Sequence, residues 1–205
     1  MADIELRFDE YTEQFSSKSL AELREYAVTH PIDGPISIEI GANRGKFLTE
    51  LALRHPERRY LGIEIRRSFA QAAQKLARRV GATNSDTIHA DANLAIPILI
   101  DDGQLDEMFL LYPDPWWKAR HHKRRIIQPD FLDLLSQKMP SGGMVWIRTD
   151  VGPLADDMRQ TLVDHPEFEP LHLDEFPKDP FPWTNREVHC FAQGLPAHLV
   201  YFRRR

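Results

Sequence analysis

One short stretch of the sequence combines the residue types that chemistry on a nucleic-acid base requires. Residues 112–125 contain an aspartate between two prolines, then two tryptophans, then a dense run of cations. Proline fixes its own φ and biases the preceding residue toward extended backbone, so Asp114 is expected on a stiff turn rather than in a helix. A rigid carboxylate, flat aromatic faces and a phosphate-attracting patch suit an enzyme that acts on such a base. The alternative is a strand that ends in a proline turn with a solvated basic tail.

The hydrophobic pattern around this stretch predicts the elements that position it. Short apolar strands alternate with amphipathic helices over residues 36–163, which predicts an α/β fold with a mostly parallel sheet and helices on both faces. A strand at 104–111 leads directly into the proline turn. Two closing strands are predicted at 168–173 and 197–203, separated by an irregular, proline-rich and aromatic-rich loop at 174–186.

The N-terminal region differs in composition from the rest of the chain. Residues 1–18 are polar without a sustained period, which predicts a mobile arm. Ser19 is expected to cap the first helix, with Glu22 three residues later completing a capping box. The sequence contains no internal repeat and no low-complexity linker, so residues 19–205 are expected to form a single domain.

An acidic residue stands at or near the end of five predicted strands, the third of which is predicted over 87–91. Ligands in open α/β sheets bind outside the carboxyl ends of the strands, so these acids are expected to converge on one edge. A single acid in such a position could be incidental, but five together are much less so. The five are Glu39, Glu64, Asp91, Asp114 and Asp150.

The glycine-containing loop 41–45 follows the first of these strands and opens a helix. It lacks the G-x-G-x-x-G of dinucleotide sites and the Lys-Ser/Thr of phosphate loops, and an acidic rim would repel a pyrophosphate. The rim suits S-adenosylmethionine, which carries a sulfonium, an amino group and a ribose diol but no phosphate. Glu64 stands about 20 residues after the loop, where an acid commonly accepts ribose hydroxyls; the alternative is a surface acid at a strand end. Asp91 or Ala92 is expected near the adenine.

Composition limits the class of protein. The 205-residue chain has a net charge of −5, yet residues 118–125 contain five Lys or Arg and no acid. Such a local basic face can bind phosphates on an acidic body, because the local field matters more than the total charge.

Cys190 is the only cysteine and the histidines form no ligand-spaced set, so neither an intrachain disulfide nor a metal is expected. A cytoplasmic protein is expected, since no apolar run approaches the ~20 residues of a membrane helix and no signal-peptide pattern opens the chain.

Seven short motifs occur in a fixed order along the chain. They are Glu39-Ile40-Gly41, Gly62-Ile63-Glu64, Asp91-Ala92, Pro113-Asp114-Pro115-Trp116, the run Lys118 to Arg125, Thr149-Asp150 and Thr184-x-x-Glu187. In this order they resemble bacterial tRNA (guanine-N7)-methyltransferases, over roughly residues 36–204. The resemblance implies a Rossmann-like class I methyltransferase fold, S-adenosylmethionine as the methyl donor, and a guanine at position 46 of the tRNA variable loop as the acceptor.

The resemblance also implies roles for individual residues. The chemistry of methyl transfer, rather than the resemblance, makes Asp114 the expected catalytic residue, in a positional and electrostatic sense. The expected cofactor contacts are Glu39, Gly41, Gly45, Glu64, Asp91, Ala92 and Asp114. The expected substrate contacts are Lys118, Asp150, Thr184, Asn185, Arg186 and Glu187. The basic run is expected to hold tRNA phosphates through Arg120, Lys123, Arg124 and Arg125.

The chemistry of guanine methylation agrees with these roles. N7 of guanine carries a lone pair and no proton, so alignment with the methyl donor is needed but a base to create the nucleophile is not. N1–H and the exocyclic amine of guanine are donors, which carboxylates such as Asp150 and Glu187 can accept. Methylation leaves positive charge on the purine, which the Asp114 carboxylate would stabilise. Trp116 or Trp117 could stack on an exposed base; the alternative is that one of them belongs to the core.

Two alternatives stay open at the level of sequence. Asn43 stands where the family usually has a second glycine, and residues 188–196 lack the family's usual glycine-and-basic pattern. A methyltransferase that acts on another RNA or a small molecule would fit these departures, as would a tRNA-binding protein without activity. The protein is expected to be a monomer or a weak homo-oligomer.

Overall fold

Seven strands form one sheet in the part of the chain that the computed structural model describes, residues 17–176 and 181–205. The strands are β1 (Ile36–Ile40), β2 (Tyr60–Glu64), β3 (Ser85–His89), β4 (Leu105–Leu111), β5 (Met144–Thr149), β6 (Phe168–Pro170) and β7 (His198–Arg204). Their order across the sheet is β3-β2-β1-β4-β5-β7-β6. The first five strands run parallel to one another, and β7 pairs antiparallel with both β5 and β6. The strand order changes direction between β1 and β4, and ligands of such sheets bind at this switch point.

Seven α-helices connect or flank the strands in the described residues. They are α1 (Ser17–Thr29), α2 (Lys46–Arg54), α3 (Arg67–Val80), α4 (Ala92–Leu99), α5 (Pro129–Lys138), α6 (Gly152–Asp164) and α7 (Asn185–Ala192), with short 3-10 helices at Ala119–Arg124 and Leu173–Glu175. Their ends follow local sequence signals. Gly81 ends α3 with a left-handed φ of 76°, which glycine adopts without a Cβ clash. Proline lies in the first turn of α5 and of α6, where its missing N–H leaves no helical bond unmade.

Apolar layers cover both faces of the sheet because side chains alternate along each strand. Met108 and Leu110 of β4 pack into one layer, with residues of α1, α4, α5 and α6. Phe109, between them in sequence, packs into the other layer, with residues of α2 and α3. A strand that is apolar on both faces needs helices on both sides, and this is why an uninterrupted apolar run precedes the proline turn.

The predicted fold class is confirmed, and four local predictions are wrong. The first helix begins at Ser17, so Ser19 lies inside α1 and does not cap it. The third strand ends before Asp91, whose side chain instead accepts a hydrogen bond at the start of α4. The loop predicted to be irregular over 174–186 contains the start of α7. In addition, β6 ends at Pro170, earlier than predicted.

Two predicted segments fall wholly or partly outside the described residues. These are the N-terminal arm, apart from its last two residues, and positions 177–180 of the loop before α7. Among the described helices, none has both the length and the apolar character that crossing a membrane requires.

Candidate functional site

A cavity of about 790 Å³ opens at the carboxyl ends of β1, β2, β4 and β5. Parallel strands end at the same edge, so residues that are distant in sequence meet there. The site residues predicted from sequence that line it are Glu39, Gly41, Glu64, Asp114, Arg124, Arg125, Asp150, Thr184, Asn185 and Arg186. The lining that the described residues form does not include Gly45, Asp91, Ala92, Lys118, Arg120, Lys123 or Glu187. Four of the five strand-end acids therefore share one cavity.

The loop between β1 and α2 borders the cavity with an unusual backbone. Gly41 and Asn43 have φ of 77° and 52°, a region that glycine enters freely and asparagine tolerates better than most residues. The N–H of Asn43 donates to Oε2 of Glu64 at 2.8 Å, which ties the loop to the end of β2. Gly45 also has a positive φ, and a Cβ at this position would lie only 2.7 Å from Cβ of Ala73. Its observed role is therefore the close packing of α2 against α3.

Two buried carboxylates form the acidic end of the cavity. Glu39 is only 4% exposed, and its Oε2 has no hydrogen-bond partner among the described residues. Burial, reinforced by the charge of Glu64, raises the pKa of Glu39 to about 8. The two oxygens of Glu64 each accept a backbone N–H at 2.8 Å, from Asn43 and from Arg66. Oε1 also accepts Nε of Arg66 at 3.4 Å, so Oε2 is the oxygen of Glu64 that keeps capacity for another donor.

These two residues fit S-adenosylmethionine, whose bound form supplies an electrophilic methyl group. The unpartnered oxygen of Glu39 can accept from an amino group, and the remaining capacity of Glu64 suits the hydroxyls of a ribose. Asp91 is differently placed. It accepts the backbone N–H and the side-chain amide of Asn93 at 2.8 Å and 3.0 Å, and thereby caps α4. The neighbouring Ala92 is buried.

The proline turn after β4 forms another wall of the cavity. Asp114 is exposed on this wall. Tyr112 and Trp116, on either side of it, have φ of 53° and 47°, which is strained for residues with large side chains. The backbone N–H of Tyr112 donates to the carbonyl of Arg148 at 2.7 Å, which fixes the start of the turn against β5.

Arg125 fixes the other end of this turn. Its guanidinium donates to the carbonyl of Pro115 at 3.2 Å and 2.9 Å, and to Oδ2 of Asp157 on α6 at 3.0 Å. The side chain is only 12% exposed. Arg125 therefore holds the turn, and the phosphate contact predicted for it from the sequence stays a prediction.

The rest of the basic run lies at the surface beside the cavity. The 3-10 helix Ala119–Arg124 carries most of it, and Lys118, Arg120 and Lys123 are exposed. The guanidinium of Arg124 lies 5.0 Å from the ring centre of Trp116. Neither tryptophan belongs to the core: Trp116 is partly buried, and Trp117, which also lines the cavity, is 70% exposed.

Asp150, just after β5, places a further carboxylate in the lining of the cavity, apart from Glu39 and Glu64. It forms an ion pair with Arg186 at the start of α7. Burial alone would raise its pKa, but the hydrogen bond from Arg186 holds the pKa of Asp150 below its ordinary value, so the carboxylate stays ionised. The buried Cys190 also contributes to lowering the pKa of Asp150.

The segment from Thr184 to Glu187 is a capping box. The Thr184 hydroxyl accepts the N–H of Glu187, and the Glu187 carboxylate accepts the N–H of Thr184, both at 3.0 Å. The spacing Thr-x-x-Glu is a known signature of a helix start, so this signal could have predicted α7 from the sequence. Glu187 uses its other oxygen to accept from Arg148 at 2.5 Å. Both of its oxygens are thus engaged within the protein.

Two residues of the site were missed by sequence reasoning. Tyr112 lines the cavity, and burial raises the pKa of its hydroxyl, which has no hydrogen-bond partner among the described residues. Arg148 is buried beside α7. A charged residue inside an apolar strand is a signal that a partner must exist, and this signal was present in the sequence. No group of three residues able to ligate a metal is clustered within the described part of the chain.

Comparisons with known proteins identify the family of this chain. A methyltransferase family model matches residues 33–198. The chain is 35% identical to the tRNA (guanine-N(7)-)-methyltransferase of Synechococcus elongatus, over 84% of this chain and 83% of that protein. It is also 35% identical to the enzyme of the same name from Microcystis aeruginosa, over 82% of each. The chain belongs to the tRNA (guanine-N(7)-)-methyltransferase family. Methyl transfer to N7 of guanine in tRNA, with S-adenosylmethionine as donor, is the activity of this methyltransferase.

Solved structures agree with this assignment at the level of fold. The crystal structure of TrmN from Thermus thermophilus superposes with a TM-score of 0.59 at 15% identity, over 91% of this chain and 48% of that one. At this identity the likeness extends to the fold alone. It confirms the predicted class I methyltransferase fold of this tRNA (guanine-N(7)-)-methyltransferase family member.

Proposed function

We propose that this methyltransferase modifies guanine 46 in the variable loop of tRNA, with Asp114 as the catalytic carboxylate. One cavity that joins two chemically different carboxylate groups supports methyl transfer to guanine, and the resemblance in motif order supports position 46. One group, Glu39 and Glu64, is buried and suits the methyl donor. The other, Asp150, is ionised and suits a base that presents hydrogen-bond donors.

The residues of the chain have separate tasks in this proposal. Asp150 accepts from N1–H and the exocyclic amine of guanine, which adenine does not present in the same pattern. Asp114 stands on a turn held at both ends, so its charge is in place before positive charge develops on the purine. No proton has to leave N7, and the contribution of the protein is alignment and electrostatic stabilisation. Asp91 and Ala92 stay predicted contacts for the adenine end.

The exposed cations beside the cavity support an RNA rather than a small molecule as the substrate. Lys118, Arg120 and Lys123 lie together on one surface segment. Phosphate contacts from such a segment make binding depend on salt, because counterions are released. Trp117, which is exposed at the cavity, is the better placed of the two tryptophans to stack on a base.

The test uses the full chain, S-adenosylmethionine with a labelled methyl group, and unmodified tRNA transcripts. We expect label in tRNA, and strand cleavage specific for 7-methylguanosine should map it to position 46. A transcript with adenine at that position is the matched control and should take up no label. Label at another guanine would refute the variable-loop assignment. Binding of the donor without tRNA labelling would favour a different substrate, and tRNA binding without donor binding would favour a protein without activity.

A further inference from the structure

A buried ion pair holds the first turn of α7. Nη1 of Arg148 on β5 donates to Oε1 of Glu187 at 2.5 Å, and these side chains are 9% and 14% exposed. Nε of Arg148 donates to the hydroxyl of Tyr201 on β7 at 2.8 Å. The guanidinium also lies 5.2 Å from the ring centre of Phe181, in the segment that leads to α7. A buried guanidinium with three such partners is confined to one position.

Glu187 connects Arg148 to the residues of α7 that line the cavity. Its second oxygen accepts the N–H of Thr184 at 3.0 Å, so the same carboxylate binds Arg148 and closes the capping box. Asn185 and Arg186, the first two residues of α7, line the cavity. The position of these two residues therefore depends on Arg148, although Arg148 itself is not part of the lining that the described residues form.

Arg148 also holds the opposite wall. Its carbonyl accepts the N–H of Tyr112 at 2.7 Å, at the start of the turn that carries Asp114. The left-handed backbone of Tyr112 is strained, and strain of this kind persists only where surrounding contacts determine the conformation. One residue of β5 thus contacts both segments that border the substrate end of the cavity, one through its side chain and one through its backbone.

We propose that Arg148 is a positioning residue for tRNA recognition, which acts by holding α7 through Glu187. This inference rests on the proposed function, since tRNA is the substrate whose binding it sets. It adds an internal role to Glu187, whose two oxygens each accept one hydrogen bond inside the protein and keep capacity for a donor on the guanine.

The experiment separates positioning from stability by removing one charge and then both. Arg148→Met leaves a buried carboxylate without its partner, so the melting temperature should fall. The double variant Arg148→Met with Glu187→Gln removes both charges, so most of the loss in melting temperature should be recovered. Its kcat/KM for tRNA should nevertheless stay about 10-fold to 100-fold below wild type, mainly through KM, because a misplaced wall of the site is not repaired. The Kd for S-adenosylhomocysteine should be unchanged in both variants.

The double variant Arg203→Met with Glu169→Gln is the matched control, because it removes an arginine–glutamate ion pair between β7 and β6 that does not include α7. Its KM for tRNA should equal that of wild type. Amide exchange over residues 184–192 provides a readout without RNA, and the double variant should exchange faster there than wild type. Wild-type exchange and wild-type kcat/KM in the double variant would overturn the proposal. If wild type itself fails to methylate tRNA, the proposed function falls, while the exchange measurement still decides whether Arg148 holds α7.

Discussion

The protonation of Glu39 should couple methyl-donor binding to pH. Its pKa of about 8 in the folded protein compares with an ordinary value of 4.5, so most molecules carry a protonated Glu39 at pH 7. An amino group bound beside the unpartnered oxygen favours the ionised form. The molecules with an ionised Glu39 are therefore the ones that bind the donor well. Below pH 8 their fraction rises about tenfold for each pH unit. The Kd for S-adenosylhomocysteine should therefore fall about tenfold from pH 6 to pH 7, with release of about one proton per site.

The same shift has a consequence for stability that needs no ligand. The unfolded chain loses this proton near pH 4.5 and the folded chain near pH 8, so the free energy of unfolding falls as pH rises between these values. At pH 7 the penalty is about 3 kcal/mol, from the difference in bound protons between the two states. Glu39→Gln should remove this penalty. Chemical denaturation at pH 5 and pH 7 measures the free energy of unfolding, whose decrease with pH should be smaller in the variant than in wild type.

Calorimetry in two buffers of different ionisation enthalpy measures the proton release directly. Glu39→Gln should bind S-adenosylhomocysteine without releasing a proton. Its Kd should be the same at pH 6 and at pH 7. Glu50→Gln is the matched control, because Glu50 pairs with Arg54 on the outer part of α2 and should leave both quantities as in wild type. A wild-type Kd that is flat over this range, or a slope that survives in Glu39→Gln, would refute the argument.

Three further predictions concern other parts of the site. Asp114→Ala should lower the rate of methyl transfer about 100-fold while tRNA binding, measured by filter retention, changes little; equal losses in both would contradict its role. Lys123→Gln should reduce the slope of log K against log salt by about one, whereas Arg125→Gln should lower the melting temperature instead; the reverse pattern would contradict the assignments. Gly45→Ala should destabilise the fold by about 3 kcal/mol in urea denaturation, since its Cβ meets Ala73 at 2.7 Å, and an unchanged midpoint would contradict that packing.

The sequence predicted the sheet edge well because the rule behind it is geometric. Apolar runs predict parallel strands, and the carboxyl ends of parallel strands necessarily lie together, which brought Glu39, Glu64, Asp114 and Asp150 to one cavity. The fifth acid, Asp91, also follows a strand end but is not part of the lining that the described residues form, and its side chain caps α4. A strand-end acid and a helix cap look alike in sequence, since both stand between an apolar run and a helix.

Sequence reasoning could not separate the members of the basic run. Lys123 and Arg125 are two residues apart, yet one is exposed while the other holds the carbonyl of Pro115. The direction of each side chain depends on the 3-10 helix before Arg125, which composition does not encode. Glu187 shows a related limit: its motif predicts a contact for the base by resemblance, while the same spacing from Thr184 also predicts the capping box that the structure contains.

The contact between Arg148 and Tyr201 bears on how the enzyme is made at the ribosome. Glu39 and Glu64, at the donor end of the cavity, lie on strands from the first third of the chain. The recognition end needs β7, because Tyr201 lies on that strand and β7 inserts between β5 and β6. Domains begin to fold as the chain emerges. The contact that fixes Arg148 through Tyr201 therefore forms only after β7 has been synthesised and has inserted between β5 and β6, late in the folding of the chain.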